Sequence, residues 1–540
     1  MLRLLLAICV VNTLLVMPLW WRFGTWAAPL LAWEAWVLVP ALWLLPVRRW
    51  RRAAGVTVVS ALALFTLINL GDAATHTAFG RSLNLYLDVP LVRSVYHLLV
   101  GNVGQLAAIC LMLLALVVLL VGVWGLLRLL LPRVPLSLAR GQGKLALGVL
   151  VVAAGLLLLE ANRYRWVPHS TLPVVHTARF QWQQVVSTHQ ARLAFSEQLQ
   201  ASPMATQALP GLEGRDVLLT FIESYGVTAL DDPRYNRQIL ATLAEIETRL
   251  EQRGLSVVSG LMDAPIRGGQ SWLAHATTLS GRWIDNQLWY RLMLNSGHPT
   301  LIDDFRATGQ HTLTVMPAIT LAWPEGEAYG FDQIVAARDM PYAGPPLNWV
   351  TMPDQFTLDY TQRHLLGGSP VFAQIALISS HAPWTPILPV LENWSMVGDG
   401  SIFAPWENAA DPPEVIWRDI ERIRDHYAWS VDYAVKVTGR WAERVADEQT
   451  LLIALGDHQA APLITGENAS AAVPVHIVSG DPELLAPFMA RGFVNGMLPD
   501  LSATFDAPPM SQLRHWLQED FGAAEPLPGT TPGTTPRTTP

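Results

Sequence analysis

The segment LLIALGDHQAAP, Leu451 to Pro462, sets Asp457 and His458 side by side at the end of an apolar run. Carboxylate oxygen and imidazole nitrogen both ligate divalent ions, and a buried strand of an α/β domain delivers polar residues at its carboxyl end. Alone, the doublet fits a polar loop equally well. Two further apolar runs end in the same manner: DVLLTFIES (Asp216 to Ser224) in Glu223, and VFAQIALISSHAPW (Val371 to Trp384) in His381. Three such strand ends would converge on one edge of a parallel sheet, and their mix of oxygen and nitrogen ligands suits Mn²⁺ or Zn²⁺. A nucleophile stands in APIRGGQSWLAHATTLSG, Ala264 to Gly281. Gly268 and Gly269 permit a tight backbone, and Ser271 begins a helical pattern. There it is either an N-cap or, because a helix N-terminus favours anions, a hydroxyl placed to meet a phosphate and activated by a metal. Thr277 and Thr278 lie deeper in that helix, where packing and backbone bonding account for them.

These residues need a framework. From about Arg215 to Asp520 short apolar runs alternate with helical patterns, which predicts parallel strands joined by crossovers. Ahead of that domain, long apolar runs span about Leu4 to Trp21, Ala27 to Val47, Ala53 to Leu70, Gly104 to Leu127 and Leu145 to Leu159. A crossing takes about 20 residues, so the third and fifth depend on their flanks. Glu34, inside the second run, is costly in lipid and is expected to face other helices or the interface. Arg48, Arg49, Arg51 and Arg52 follow the second run, and Arg128, Arg133, Arg140 and Lys144 surround the link from the fourth to the fifth. Both loops are expected to be cytoplasmic, which puts the amino terminus inside and everything after Glu160 outside. The loop Gly71 to Val103 then also lies outside, and its LNLYLDVPLVRSVYHLL reads as an interfacial helix.

The expected organisation is a polytopic α-helical membrane domain of five spans over 1–161, a juxtamembrane helical linker over 162–214, an extracytoplasmic α/β domain over 215–520 and a disordered Pro/Thr tail over 521–540. Composition agrees with a membrane protein: charged residues make up 15% and hydrophobic ones 51% of the 540. A net charge of −8 without a Lys/Arg tract in the second half argues against a nucleic-acid partner. The two cysteines, Cys9 and Cys110, both sit in apolar runs, so the α/β domain folds without disulfides or thiolate metal sites.

FIES, GGQS, SSHAPW and LGDH, in that order behind the apolar runs, resemble the lipoteichoic acid synthase (phosphoglycerol transferase) branch of the sulfatase-like, alkaline phosphatase superfamily. The resemblance implies an α/β/α sandwich in which one divalent metal, Mn²⁺ before Zn²⁺ or Mg²⁺, is held by Glu223, Ser271, Asp457 and His458. Ser271 would replace the usual threonine nucleophile, and His381 would match the histidine that binds or protonates the substrate. In LAWPEGEAYGFD, Trp323 corresponds to a substrate-gripping aromatic, but Glu325 falls where that branch carries arginine, a departure that bears on phosphoglycerol specificity. Ser271-Trp-Leu-Ala-His lacks the proline and arginine of a formylglycine motif, which disfavours sulfate ester hydrolysis. The implied activity moves a phospholipid head group to an extracytoplasmic acceptor, glycan or lipid, through a covalent serine intermediate, at the plasma membrane. A phosphodiesterase or sulfatase-like hydrolase on the same site and a non-catalytic membrane binding protein are the alternatives.

Other residues have plainer readings. His275, His298, His311, His426 and His476 read as surface or core histidines, and Arg267 as a surface arginine. Asp432 reads as part of a solvated helix face, and Trp349 and Asp354 either border the pocket or pack a loop.

Overall fold

The computed structural model describes residues 2–24, 28–89, 92–131, 141–161, 167, 169–201 and 204–522. The 523–540 part of the Pro/Thr tail and the basic residues Arg133 and Arg140 lie outside them. The chain divides into two compact units, Met1–Ala194 and Phe195–Pro540.

In the first unit, helices α1 (Leu2–Phe23), α2 (Trp33–Leu44), α3 (Arg48–Phe79), α4 (Val92–Val103), α5 (Gln105–Leu130) and α6 (Gly141–Ala161) precede α7 (Pro173–Ala201). Among the described residues, four are long and apolar enough to cross a membrane: α1, α3, α5 and the Gly143–Glu160 part of α6. The second apolar run behaves differently. Its helix α2 has 12 residues, about 18 Å of rise against a hydrocarbon layer of about 30 Å. Pro46 disfavours the α conformation at Leu45, whose backbone is extended. Glu34 is buried, and its Oε1 accepts from the amides of Val174 (2.9 Å) and Val175 (3.4 Å), donors left open at the start of α7. The third run is longer than its apolar stretch, because α3 continues through Gly71 and stops at Gly80, whose φ of 65° suits glycine. The expected outer loop therefore begins at Gly80, and its amphipathic part forms a one-turn helix, Leu85–Asp88, and then α4.

The second unit is built on eight strands: β1 (Asp216–Ile222), β2 (Ser256–Asp263), β3 (His311–Met316), β4 (Gln333–Ala336), β5 (Val371–Ala376), β6 (Thr450–Gly456), β7 (Ala472–Ser479) and β8 (Val494–Asn495). Their order is β8-β2-β7-β6-β1-β5-β3-β4. The five from β6 to β4 are parallel, while β7 runs antiparallel to both β6 and β2. The expected parallel strands are these five, within a sheet that is mixed. Alternation along β1 explains its layers. Leu218 and Ile222 face a core with α8 (Asn236–Gln252) and α12 (Ile420–Val445); Val217, Leu219 and Phe221 face a second core with α9 (Ser271–Ser280), α10 (Leu301–Thr308) and α13 (Gln512–Phe521). A further helix, α11 (Asp354–His364), packs with the first group. Burying each large apolar side chain contributes about 1.5–3 kcal/mol, so β1 has little freedom to change register, since a one-residue slip would exchange its two faces.

Candidate metal and nucleophile site

The strands β6, β1 and β5 are consecutive neighbours, so the segments after them leave the sheet side by side. Glu223 follows β1 directly and Asp457 follows β6 directly, with Ile222 registered opposite Gly456. The pair is locked by backbone: the Asp457 amide donates to the Ile222 carbonyl (3.1 Å) and the Ser224 amide donates to Asp457 Oδ1 (2.8 Å). A Cβ on Gly456 would lie 1.8 Å from the Tyr225 carbonyl oxygen, so only glycine permits this approach. Ser224 holds a left-handed φ of 56°, which turns the chain immediately behind the carboxylate.

Ser271 arrives from further away. After β2 the loop pairs Arg267 with Gln459, and the Gly268 amide donates to the Gln459 carbonyl at 2.8 Å. Gly268, Gly269 and Gln270 all have positive φ, of 76°, 133° and 68°. This turn sets Ser271 as the first residue of α9. Its Oγ lies 3.0 Å from Glu223 Oε2, to which it donates, and 3.3 Å from His458 Nε2. Glu223, Asp457 and His458 are all buried, and one ligand atom from each falls within 4.8 Å of the others. His458 Nδ1 is 2.8 Å from the Gln459 carbonyl. A carbonyl only accepts, so Nδ1 carries a proton and Nε2 presents its remaining valence to the cluster, the arrangement of a metal-binding imidazole oriented from behind. Asp457 Oδ1 takes two amides, from Ser224 and His458 (2.7 Å), which leaves Oδ2 toward the centre, 3.8 Å from His458 Nε2. The donor set of two carboxylates, one imidazole and one hydroxyl fits a divalent ion of the Mn²⁺ or Zn²⁺ kind.

Without a cation the charges accommodate one another. Burial works to raise Glu223, but the His458 imidazolium and its hydrogen bond hold it well below the ordinary carboxylate range, helped by His381. Burial raises Asp457, and the Glu223 carboxylate raises it further, to about 7. For His458, burial opposes the charged form, yet the Asp457 and then the Glu223 carboxylates hold it at about 9.

His381 stands apart from this group. It is exposed, five residues beyond β5, with Nδ1 2.5 Å from the Ala382 carbonyl and its ring centroid 6.3 Å from that of Trp349. Its loop is fixed by Asp354, whose Oδ1 accepts from the amides of Ile378 (2.8 Å) and Ser379 (2.9 Å), so Asp354 packs a loop. Trp323 lies over Gly326 in its own turn, after β3; its described contacts do not include the Glu223 cluster.

Two readings change. Asp432, expected on a solvated face, is buried between α12 and α8, where it accepts from Thr242 (2.6 Å) and Gln238 (2.7 Å). The packing of α8 along α12 covers a position whose polarity alone suggests water. Arg267 is half-buried and donates to the Ala469 carbonyl at 2.6 Å, which ties the Ser271 loop to the one after β6. The histidines read as ordinary are held accordingly: His275 is buried against Phe221, His426 near the Trp384 carbonyl, His298 near the Ser280 carbonyl and His476 between Tyr225 and Ser259, while His311 is exposed beside Asp332. Three supporting residues escaped the sequence reading. Ser224 donates to Glu223 Oε1 (2.9 Å), Ser380 donates to the Glu223 carbonyl (2.6 Å), and buried Gln459 donates to Thr228. Ser224 and Ser380 sit inside the FIES and SSHAPW segments, but serine after a strand carries no distinctive signal.

No family model matches the chain, and no curated protein matches it. Among solved structures, the lipoteichoic acid synthase LtaP from Listeria monocytogenes is 12% identical with a TM-score of 0.33, over 50% of this chain and 66% of that one. This chain thus spans just under two thirds of LtaP. The C-terminal periplasmic domain of EcEptC from Escherichia coli is 15% identical with a TM-score of 0.37, over 59% and 86%. The soluble domain of lipooligosaccharide phosphoethanolamine transferase A from Neisseria meningitidis is 12% identical with a TM-score of 0.39, over 59% and 91%. The chain is similar to each of these over those shares.

Proposed function

We propose that the protein is a membrane-embedded, metal-dependent phosphotransferase that moves a phospholipid head group, phosphoglycerol or one like it, to an extracytoplasmic glycan or lipid acceptor. The observation that carries this reading is the placing of the Ser271 hydroxyl within 3.0 Å of Glu223 and 3.3 Å of His458, at the start of a helix. The motif resemblance supports it through the same four residues.

Glu223, Asp457, His458 and Ser271 would hold the ion, Mn²⁺ first among the candidates. Bound there, it would lower the pKa of the hydroxyl and neutralise charge on phosphoryl oxygens. Ser271, whose hydroxyl now donates to Glu223 Oε2, loses its proton to solvent. Oγ then forms a bond to phosphorus while the bond from phosphorus to the diacylglycerol oxygen breaks, and His381 supplies a proton to the departing oxygen. In the second half an acceptor hydroxyl forms the new bond to phosphorus, Ser271 Oγ leaves and recovers a proton, and His381 takes one from the acceptor. The start of α9 offers amides to the phosphoryl group, and Trp323 is assigned to substrate binding by the resemblance alone.

Five crossings belong to the same proposal. The segments flanking α2, Pro29–Ala32 and Leu45–Val47, are not helical, and extended residues advance about 3.3 Å each, enough with α2 to complete a crossing. In the first flank, backbone groups are met within the unit, since Leu31–Ala32 pairs with Ser170–Thr171 and the Ala32 amide donates to Asn12. With the arginines after α2 inside, the second unit lies outside.

The test is mass spectrometry of the full chain incubated with Mn²⁺ and head-group-labelled phosphatidylglycerol. A phosphoglycerol adduct on Ser271, absent from Ser271→Ala, is the expected result; undiminished transfer by Ser271→Ala would overturn the mechanism.

A further inference from the structure

The first unit contains a cavity of about 280 Å³ that the catalytic reading does not use. It opens where α1 ends, beside Leu19, Arg22 and Phe23, and is closed by Ile68, Asn69 and Asp72 of α3 and by the first turns of α7. Two rulers place it in depth. Arg22 lies 19 residues along α1 from Arg3, about 28 Å, and Asn69 lies 17 residues along α3 from Arg52, about 25 Å. Both distances approach the thickness of the hydrocarbon layer, about 30 Å. The cavity therefore sits at the membrane border opposite the Arg48–Arg52 cluster, and Trp20 and Trp21 are beside it in sequence, as befits an interfacial belt.

Its chemistry is specific. Arg22 and Asp72 form an ion pair, Arg22 also donates to Ser82 Oγ (3.0 Å), and the other Asp72 oxygen accepts the Leu83 amide (2.8 Å). That pair is charge-balanced. Two buried donors remain without a partner among the described residues, Arg22 Nε and Asn69 Nδ2. Asn69 is 6% exposed, and its Oδ1 already accepts from Thr177 at 2.7 Å. Leaving buried donors unmet is costly, so the cavity calls for a ligand that brings acceptors. An anionic group would add a charge beyond that balance, with the His176 imidazole as the remaining titratable group of the lining, at a desolvation cost. The mouth is apolar, with Phe23 and Phe180 exposed beside it.

We infer that this cavity binds the glycerol diester region of an uncharged glycerolipid, a diacylglycerol, with ester carbonyls on Arg22 Nε and Asn69 Nδ2, acyl chains leaving past Phe23 and Phe180, and the free hydroxyl toward Asp72 or Ser82. At about 280 Å³ the cavity has room for a glycerol with two ester groups. The inference rests on the membrane placement of the first unit and not on the phosphotransfer reading. Diacylglycerol is nonetheless the lipid that such a transfer leaves behind.

Native mass spectrometry of the full chain in detergent, titrated with dioleoylglycerol, dioleoylphosphatidylglycerol or sn-glycerol 3-phosphate, tests it. One dioleoylglycerol is expected per chain. Asn69→Leu should weaken its binding about tenfold, the loss of a buried hydrogen bond, and Ile68→Trp should abolish it by filling the space without touching a polar contact. Dioleoylphosphatidylglycerol should bind at least tenfold more weakly, and glycerol phosphate not at all. Equal binding by the wild type and both variants, or tighter binding of either phosphate-bearing probe, would overturn the proposal. Ser271→Ala should bind dioleoylglycerol as the wild type does, so failure of the catalytic reading leaves this result intact.

Discussion

Asp457 and His458 both hold protons that a divalent ion must displace. His458 is kept at about 9 by the neighbouring carboxylates despite its burial, and Asp457 is raised to about 7 by burial and by Glu223. The sign follows for each. The raised histidine stabilises the metal-free fold below its unfolded pKa of about 6.5, and that contribution fades as pH rises through about 9. The raised aspartate favours the fold in its protonated form, which is lost as pH rises through about 7. Metal binding removes both protons, so its affinity rises with pH. Calorimetric titration of the full chain with Mn²⁺ in buffers of different ionisation enthalpy should give release of nearly two protons below pH 7 and one between pH 7 and 9. A proton count near zero at pH 6 would refute the assignment of these two residues as ligands.

At the scale of elements, the cluster depends on how closely three chain segments approach one another after β1, β6 and β2. A Cβ on Gly226 would fall 1.8 Å from Gln459 Oε1, and Gln459 is wholly buried between the β1 turn and the segment that follows His458. Gly226→Ala must therefore displace Gln459, and with it the one carbonyl that both orients His458 and receives the Gly268 amide. A destabilisation of about 1–3 kcal/mol is expected from such overpacking. Because the displaced residue adjoins the ligands, Mn²⁺ affinity should fall by at least tenfold as well. Denaturant unfolding and metal titration measure the two effects; an unchanged affinity in a folded variant would count against this coupling. The same geometry explains what a linear reading could reach. Glu223, Asp457 and His458 were legible as candidates because each ends an apolar run long enough to be a buried strand, and strand ends converge; His381 ends such a run too but stands apart. Ser271 was legible from its glycines and the onset of a helical period. What was not legible depends on neighbours far along the chain. The antiparallel insertion of β7 is set by pairing with β2 and β6. The burial of Asp432 comes from α8 packing over α12, and the anchoring of the His381 loop by Asp354 spans 24 residues or more. No local pattern encodes such contacts.

For the whole molecule, the path of α2 sets the parity of the crossings. If α2 and its extended flanks cross, five crossings place the amino terminus and Arg49 on one side and the second unit on the other. If they do not, four crossings leave the amino terminus on the same side as the second unit, with Arg49 still opposite. The native cysteines Cys9 and Cys110 lie within α1 and α5, and alanine can replace both, leaving single reporters. Leu2→Cys, Arg49→Cys and Glu483→Cys all fall on exposed positions. In intact cells a charged, impermeant maleimide should label Glu483→Cys, whereas Arg49→Cys and Leu2→Cys should react only after permeabilisation. Labelling of Leu2→Cys together with Glu483→Cys in intact cells would reduce the count to four. Labelling of Arg49→Cys but not Glu483→Cys would invert the protein, moving the Ser271 site to the cytoplasmic face and excluding an extracytoplasmic acceptor.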